Sequence, residues 1–159
     1  MGIEIERKFL VVNDDWRENA APVYFMQGYL ALGPPASVRV RVIGSKAILN
    51  IKQSILEISR DEFEYEIPLD EARQILDHLC EGRIIEKNRS VIDVEGYQWE
   101  VDEFLGENQG LIIAEIELDR IDQDFTKPAW LGMEVSQDKR YFNSYLAVHP
   151  FNTWQENRT

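Results

Sequence analysis

Cysteine is nearly absent: Cys80 is the one thiol in 159 residues. A lone cysteine closes no internal disulfide and offers no cysteine cluster to a metal ion. Histidine is almost as scarce, and His78 and His149 read as solvent-facing or structural, with Cys80 as helix packing. No apolar run approaches the roughly 20 residues of a membrane-spanning helix. Nor does the chain open on the apolar core of a signal peptide, so a cytoplasmic address is the expectation. Positive charge is the minority, 17 Lys and Arg against 29 Asp and Glu, for a formal net charge of −12. That balance argues against non-specific binding to DNA, RNA or an anionic membrane. It leaves open a small anion held in an enclosed basic site. With no repeat, low-complexity tract or linker, one domain over residues 1–159 is expected.

What the chain has in abundance is strict alternation. In the opening stretch Gly2–Phe9, a strand puts Glu4, Glu6 and Lys8 on one face and Ile3, Ile5 and Phe9 on the other. Carboxylates two apart on a strand lie about 7 Å from each other and can both reach one hard cation. An edge strand with a solvated polar face is the bland alternative. Val23 to Leu32 reads as a second strand, broken by Gly33-Pro34-Pro35. Val38–Val42 sets three valines against Arg39 and Arg41, and after a Gly44-Ser45 turn the return strand Ala47–Gln53 carries Lys52.

Ser59–Ile67 places Glu62, Glu64 and Glu66 opposite Phe63, Tyr65 and Ile67. Asp70 reads as the N-cap of an amphipathic helix through Ala72, Ile75, Leu76, Leu79 and Cys80, closed by Gly82. Ile84–Val94 carries Lys87 and Arg89 on one face; the strand after Gly96-Tyr97 carries Glu100 and Asp102 opposite Trp99 and Val101. Leu111–Leu118 carries Glu115 and Glu117, residues 122–130 read as a loop with short helical turns, and Asn143 as the cap of a last helix ended by Pro150. The total is about eight strands and one clear helix, a mainly β chain.

These polar faces carry full charges sorted by sign within each strand. Like charges two apart repel, so the sorting needs a reason. One is solvation, in an open sheet with one wet face. The other is closure into a barrel whose charged face points inward, since about eight strands enclose room for one small ligand. Interior arginines would meet phosphate oxygens through a planar fork of donors. Interior carboxylates would hold Mg²⁺ or Mn²⁺, which bridge acidic side chains and substrate phosphates.

Taken together, Glu4-x-Glu6-x-Lys8, Val38-Arg-Val-Arg-Val, the Lys52 strand, Ser59-Arg-Asp-Glu-Phe-Glu, Glu86-Lys-Asn-Arg, Trp99-Glu-Val-Asp, Ala114-Glu-Ile-Glu and Asp138-Lys-Arg-Tyr resemble the CYTH superfamily, the triphosphate tunnel metalloenzymes. The likeness runs nearly the whole chain in order and is nearest to the small bacterial inorganic triphosphatases. It implies a closed eight-stranded antiparallel β-barrel with a few flanking helices, binding triphosphate with Mg²⁺ or Mn²⁺. It implies Glu4, Glu6, Glu115, Glu117 and, as a helper, Asp102 as metal carboxylates. Lys8, Arg39, Arg41, Lys52, Lys87, Arg89 and Arg140 would contact triphosphate, Glu62 and Glu64 would orient those bases or assist a second metal, and Lys8 and Tyr29 would act in catalysis. Trp16, Trp99 and Trp130 read as exterior core. The same barrel also serves class IV adenylyl cyclases and thiamine triphosphatases; a non-catalytic polyphosphate-binding module is the alternative outside enzymes. A lipocalin-like apolar ligand barrel is disfavoured by the charges on its would-be interior. The partner is a small-molecule triphosphate, with no nucleic acid and no membrane, and a homodimer fits the aromatic edges that such a barrel exposes.

Overall fold

The structure is a computed structural model, and it describes residues 3–154. Among the described residues nine strands form: β1 (Ile3–Val11), β2 (Val23–Ala31), β3 (Ala36–Ile43), β4 (Lys46–Gln53), β5 (Ser59–Ile67), β6 (Ile84–Val94), β7 (Tyr97–Phe104), β8 (Ile112–Glu117) and β9 (Leu131–Glu134). Two helices, α1 (Leu69–His78) and the single turn α2 (Asn143–Leu146), accompany them with short 3₁₀ turns. All pairings are antiparallel, in the order β5-β4-β3-β2-β6-β7-β8-β1, and β5 returns to β1 to close an eight-stranded barrel.

Closure depends on β1 sharing one edge between two partners. Ile3, Glu4 and Ile5 pair with Asp61, Arg60 and Ser59 of β5, while Phe9 and Val11 pair with Glu134 and Leu131 of β9. Between them the Glu6 amide donates to the Ile58 carbonyl and the Lys8 amide to Ser136 Oγ, each at 2.9 Å. No stretch of that edge is left as a template for a foreign strand. The ninth strand was not expected from the sequence: Leu-Gly-Met-Glu has no alternation to mark it. Residues 122–130 hold turns but no helix.

Alternation decides which side chains go inside, and three apolar clusters fix the rest. On the outside of β1, β7 and β8, Trp99 meets Phe9, Phe125 and Trp130 edge to face at 5.7, 5.6 and 5.9 Å, with Trp16 in the same cluster. The three tryptophans are therefore exterior core, as expected. Helix α1 lays Ala72 and Leu76, and the turn after it Cys80, over Val40 and Ala47. At one end, inward-facing Tyr29, Ile85, Phe104 and Ile113 pack with Tyr141, Leu146 and Trp154 of the C-terminal segment.

Two caps differ from expectation. Helix α1 begins two residues earlier, with Pro68 at the N-cap and Asp70 in the first turn. There a carboxylate meets the helix dipole favourably without capping. Asn143 is the first residue of α2 rather than its cap, because its side chain turns into the barrel, where a buried ammonium is the stronger donor.

Candidate active site

The inward-facing charged side chains enclose a cavity of about 160 Å³. Each of β1, β3, β4, β5, β6, β7 and β8 contributes, because even-numbered or odd-numbered residues of a strand share the inner face. Glu4, Glu6 and Lys8 come from β1, Arg39 and Arg41 from β3, Lys52 from β4 and Arg60, Glu62 and Glu64 from β5. Lys87 and Arg89 come from β6, Glu100 from β7 and Glu115 and Glu117 from β8; Tyr29, Phe142, Asn143 and Ser144 complete the wall.

Most of the bases have acid partners. Asp102 is fully buried behind the wall and accepts from Lys87 Nζ at 2.8 Å and from Arg89 Nε and Nη2 at 2.7 and 2.9 Å. Lys52 Nζ lies 2.9 Å from Glu4 Oε1 and 3.6 Å from Glu62 Oε2. Arg60 Nη2 lies 3.8 Å from Glu4 and 3.9 Å from Glu6. Lys8 Nζ donates to the Tyr141 carbonyl at 3.2 Å, lies 3.7 Å from Glu115 and sits 5.1 Å from the centre of the Phe142 ring. Asn50 donates to Glu62 and Glu64 at 2.9 and 3.0 Å, so those acids brace the β4–β5 wall.

Arg39 and Arg41 are the exceptions. Neither makes an ion pair with a carboxylate among the described residues, and the buried Nε of Arg39 has no hydrogen-bond partner. A buried guanidinium without a counter-charge is costly. Burial, then the neighbouring Arg39 and Arg89, pull Arg41 down to about 9. Burial likewise drags Lys87 down to about 7, against the pull of Asp102. Burial would raise Asp102, but Lys87 and Arg89 hold it well below the usual carboxylate range. The wall is thus short of negative charge on the β3 side.

The β1–β8 side is short of positive charge. Burial, then Glu4, Glu6 and Glu100, push Glu117 up to about 7. Burial and the adjacent Glu6 also raise Glu115. Among the described residues no three acids converge into a ready-made cage. Paired, mutually repelling carboxylates still fit Mg²⁺ or Mn²⁺, which take one or two carboxylates and complete their shell with water and substrate phosphate oxygens.

Of the residues singled out in the sequence, all but two line this cavity. Asp102 lies behind it with its oxygens hydrogen-bonded to Lys87 and Arg89. Arg140 lies outside it, clamped to Asp138 at 2.6 Å beside the Tyr141 and Trp154 rings. Arg60 was passed over although it shares the parity of Glu62 and Glu64, which is the signal that finds it. Gln27 and Asn143 carry no charge and leave no such signal. His78 and His149 are exposed, and Cys80 is buried under α1.

The CYTH domain model matches residues 2–144. An inorganic triphosphatase of Acetivibrio thermocellus is 50% identical over 156 residues, 98% of this chain and 100% of that protein. An inorganic triphosphatase of Nitrosomonas europaea is 38% identical over 151 residues, 91% and 97% of the two chains. The crystal structure of the inorganic triphosphatase NE1496 superposes with a TM-score of 0.65 at 34% identity, covering 91% of this chain and 93% of that one.

Proposed function

This chain belongs to the CYTH domain family, and on that premise we propose that it hydrolyses inorganic triphosphate to diphosphate and phosphate with the help of a divalent metal. The observation that carries the reading is the pair of cavity-lining guanidiniums Arg39, buried, and Arg41, half-buried, neither ion-paired to a carboxylate among the described residues. A polyanion supplies the missing charge. Relatives at 50% and 38% identity that bear the name inorganic triphosphatase support triphosphate as that polyanion.

Phosphoryl transfer asks for positioning and charge neutralisation more than for covalent help. Arg39, Arg41, Lys87 and Arg89 line one side of the chamber and spread donors over the non-bridging oxygens. Lys8 and Arg60, stacked on Phe142, hold the oxygens at the β1 side. Tyr29 lies beside the Arg39 guanidinium and favours its charged form. Glu4, Glu6, Glu115 and Glu117 would hold Mg²⁺ or Mn²⁺ against the substrate. When bound, such an ion supplies Lewis-acid stabilisation of charge on the phosphoryl oxygens. Water then attacks a terminal phosphorus in line, and the diphosphate leaves.

A second substrate class has an observation in its favour. A groove of about 420 Å³ adjoins the chamber at Ser37, Arg60, Phe142 and Ser144, and Pro34, Leu56, Tyr145, Val148 and His149 make its wall. An organic group esterified to a triphosphate fits there, which admits nucleoside triphosphates; ADP plus phosphate, not cyclic AMP, is the product expected from ATP. Cytoplasmic residence as a single domain belongs to the same proposal, as does a homodimer through the exposed Ile3, Phe63 and Tyr65.

Calorimetric titration with Mn²⁺ in the presence of a non-hydrolysable imido analogue of triphosphate tests the site assignment. Glu4→Gln and Glu6→Gln should each weaken Mn²⁺ binding at least about tenfold while far-UV dichroism stays unchanged. Unaltered Mn²⁺ affinity in both variants would remove these carboxylates from the metal site.

A further inference from the structure

Two of the bases are joined by neutral groups instead of acids. Gln27 is fully buried on β2, where an amide without partners would be costly. Its Oε1 accepts from Arg41 Nε at 3.0 Å, and its Nε2 donates to Asn143 Oδ1 at 2.9 Å. The same Asn143 oxygen accepts from Lys87 Nζ at 3.0 Å. Lys87 continues to Asp102, and Asp102 to Arg89. Hydrogen bonds therefore run unbroken from Arg41 through two amides to Lys87 and on to Arg89, tying β2, β3, β6, β7 and α2 together.

The choice of amides has a physical consequence. An acid in either place would hold the bases equally well but cancel charge that a polyanion needs. An apolar side chain would keep the charge and let the bases drift. Amides fix the direction of Arg41 Nε and Lys87 Nζ and add no negative charge of their own. Donors set in place before the substrate arrives need no reorganisation when charge develops.

We propose that Gln27 and Asn143 are positioning residues for triphosphate cleavage, an uncharged bridge that fixes Arg41 and Lys87 in the direction of the phosphate oxygens. Asn143 lies beyond the barrel strands, so the C-terminal segment supplies part of the site and is more than a stopper. The proposal rests on the triphosphatase reading above.

A double-mutant cycle on the full chain tests it, with Mn²⁺ and inorganic triphosphate. Asn143→Ala should lower kcat about tenfold and move KM less than about threefold, because the binding charge survives and the preset geometry does not. On a Lys87→Met background the same change should cost less than about fivefold, since one of the two groups it positions is gone and only Arg41, held through Gln27, is left to drift. Asn143→Leu, close to the native volume, repeats the cycle if the alanine variant fails to fold. Wild-type kcat in the Asn143 variants would overturn the proposal, and so would losses that multiply fully on the Lys87→Met background. A wild-type chain that never turns over triphosphate would instead overturn the functional reading on which the proposal stands.

Discussion

Asp102 shows what one buried charge does in this chain. Its two oxygens take three hydrogen bonds from Lys87 and Arg89, and both ends of the Lys87 pair are 1% exposed. Removing one partner of such a group strands the others without water or counter-charge. Asp102→Ala should therefore lower unfolding stability by about 3–5 kcal/mol, read as a shift of the urea midpoint. Mn²⁺ affinity should fall less than in Glu4→Gln or Glu6→Gln, because the Asp102 oxygens face bases and reach the Glu115 carboxylate only through Arg89. A stable variant that has lost Mn²⁺ would return Asp102 to the metal site. Strand parity placed Asp102 with Glu100 on the inner face, and it does lie on that face. Parity does not say which inner acid is already spoken for, since that depends on how far a lysine on the neighbouring strand can reach. The uncharged Gln27 and Asn143 were invisible for a related reason: an amide has no signature until its partners are in place.

The element that shapes the barrel's exterior is α1, and one glycine lets it sit there. A Cβ at Gly28 of β2 would come within 2.7 Å of Ile84 Cδ1 and Leu76 Cδ2 and 2.8 Å of Cys80 Sγ. Three neighbours would have to move together, so Gly28→Ala should cost roughly 1–3 kcal/mol, visible as a lower thermal midpoint with α1 loosened. An unchanged midpoint would mean that the helix rides freely on the sheet. Most of the strands β1 to β8 were legible from alternation, which also told which face was charged, while β2 was legible as an apolar run ended by Gly33-Pro34-Pro35. Strand β9 was not, because four residues with a central glycine and no alternation gain their strand conformation only from the free half-edge of β1. The Asp70 cap failed on a similar point: Pro68 already fixes the helical entry.

At the scale of the whole molecule, an acidic shell with net charge −12 surrounds a chamber whose two sides lack opposite charges. That imbalance predicts a pH dependence of the metal-free protein. Glu117 is held up to about 7 against an ordinary value of 4.5, with Glu115 and Glu100 shifted in the same direction. Between those pH values the folded chain keeps protons that the unfolded chain has released, so stability falls as pH rises. Lys87 opposes this only above about 7, and Asp102 acts only in strong acid. The thermal midpoint without metal should therefore drop between pH 5 and 7, and Glu117→Gln should flatten the drop. A midpoint that rises over this range would contradict the charge map. The most direct measurement is phosphate release from inorganic triphosphate with Mg²⁺, Mn²⁺ or EDTA. Release that requires the metal and is abolished by EDTA is the expected result; triphosphate bound tightly and left intact under every metal would contradict the catalytic reading and leave a polyphosphate-binding barrel.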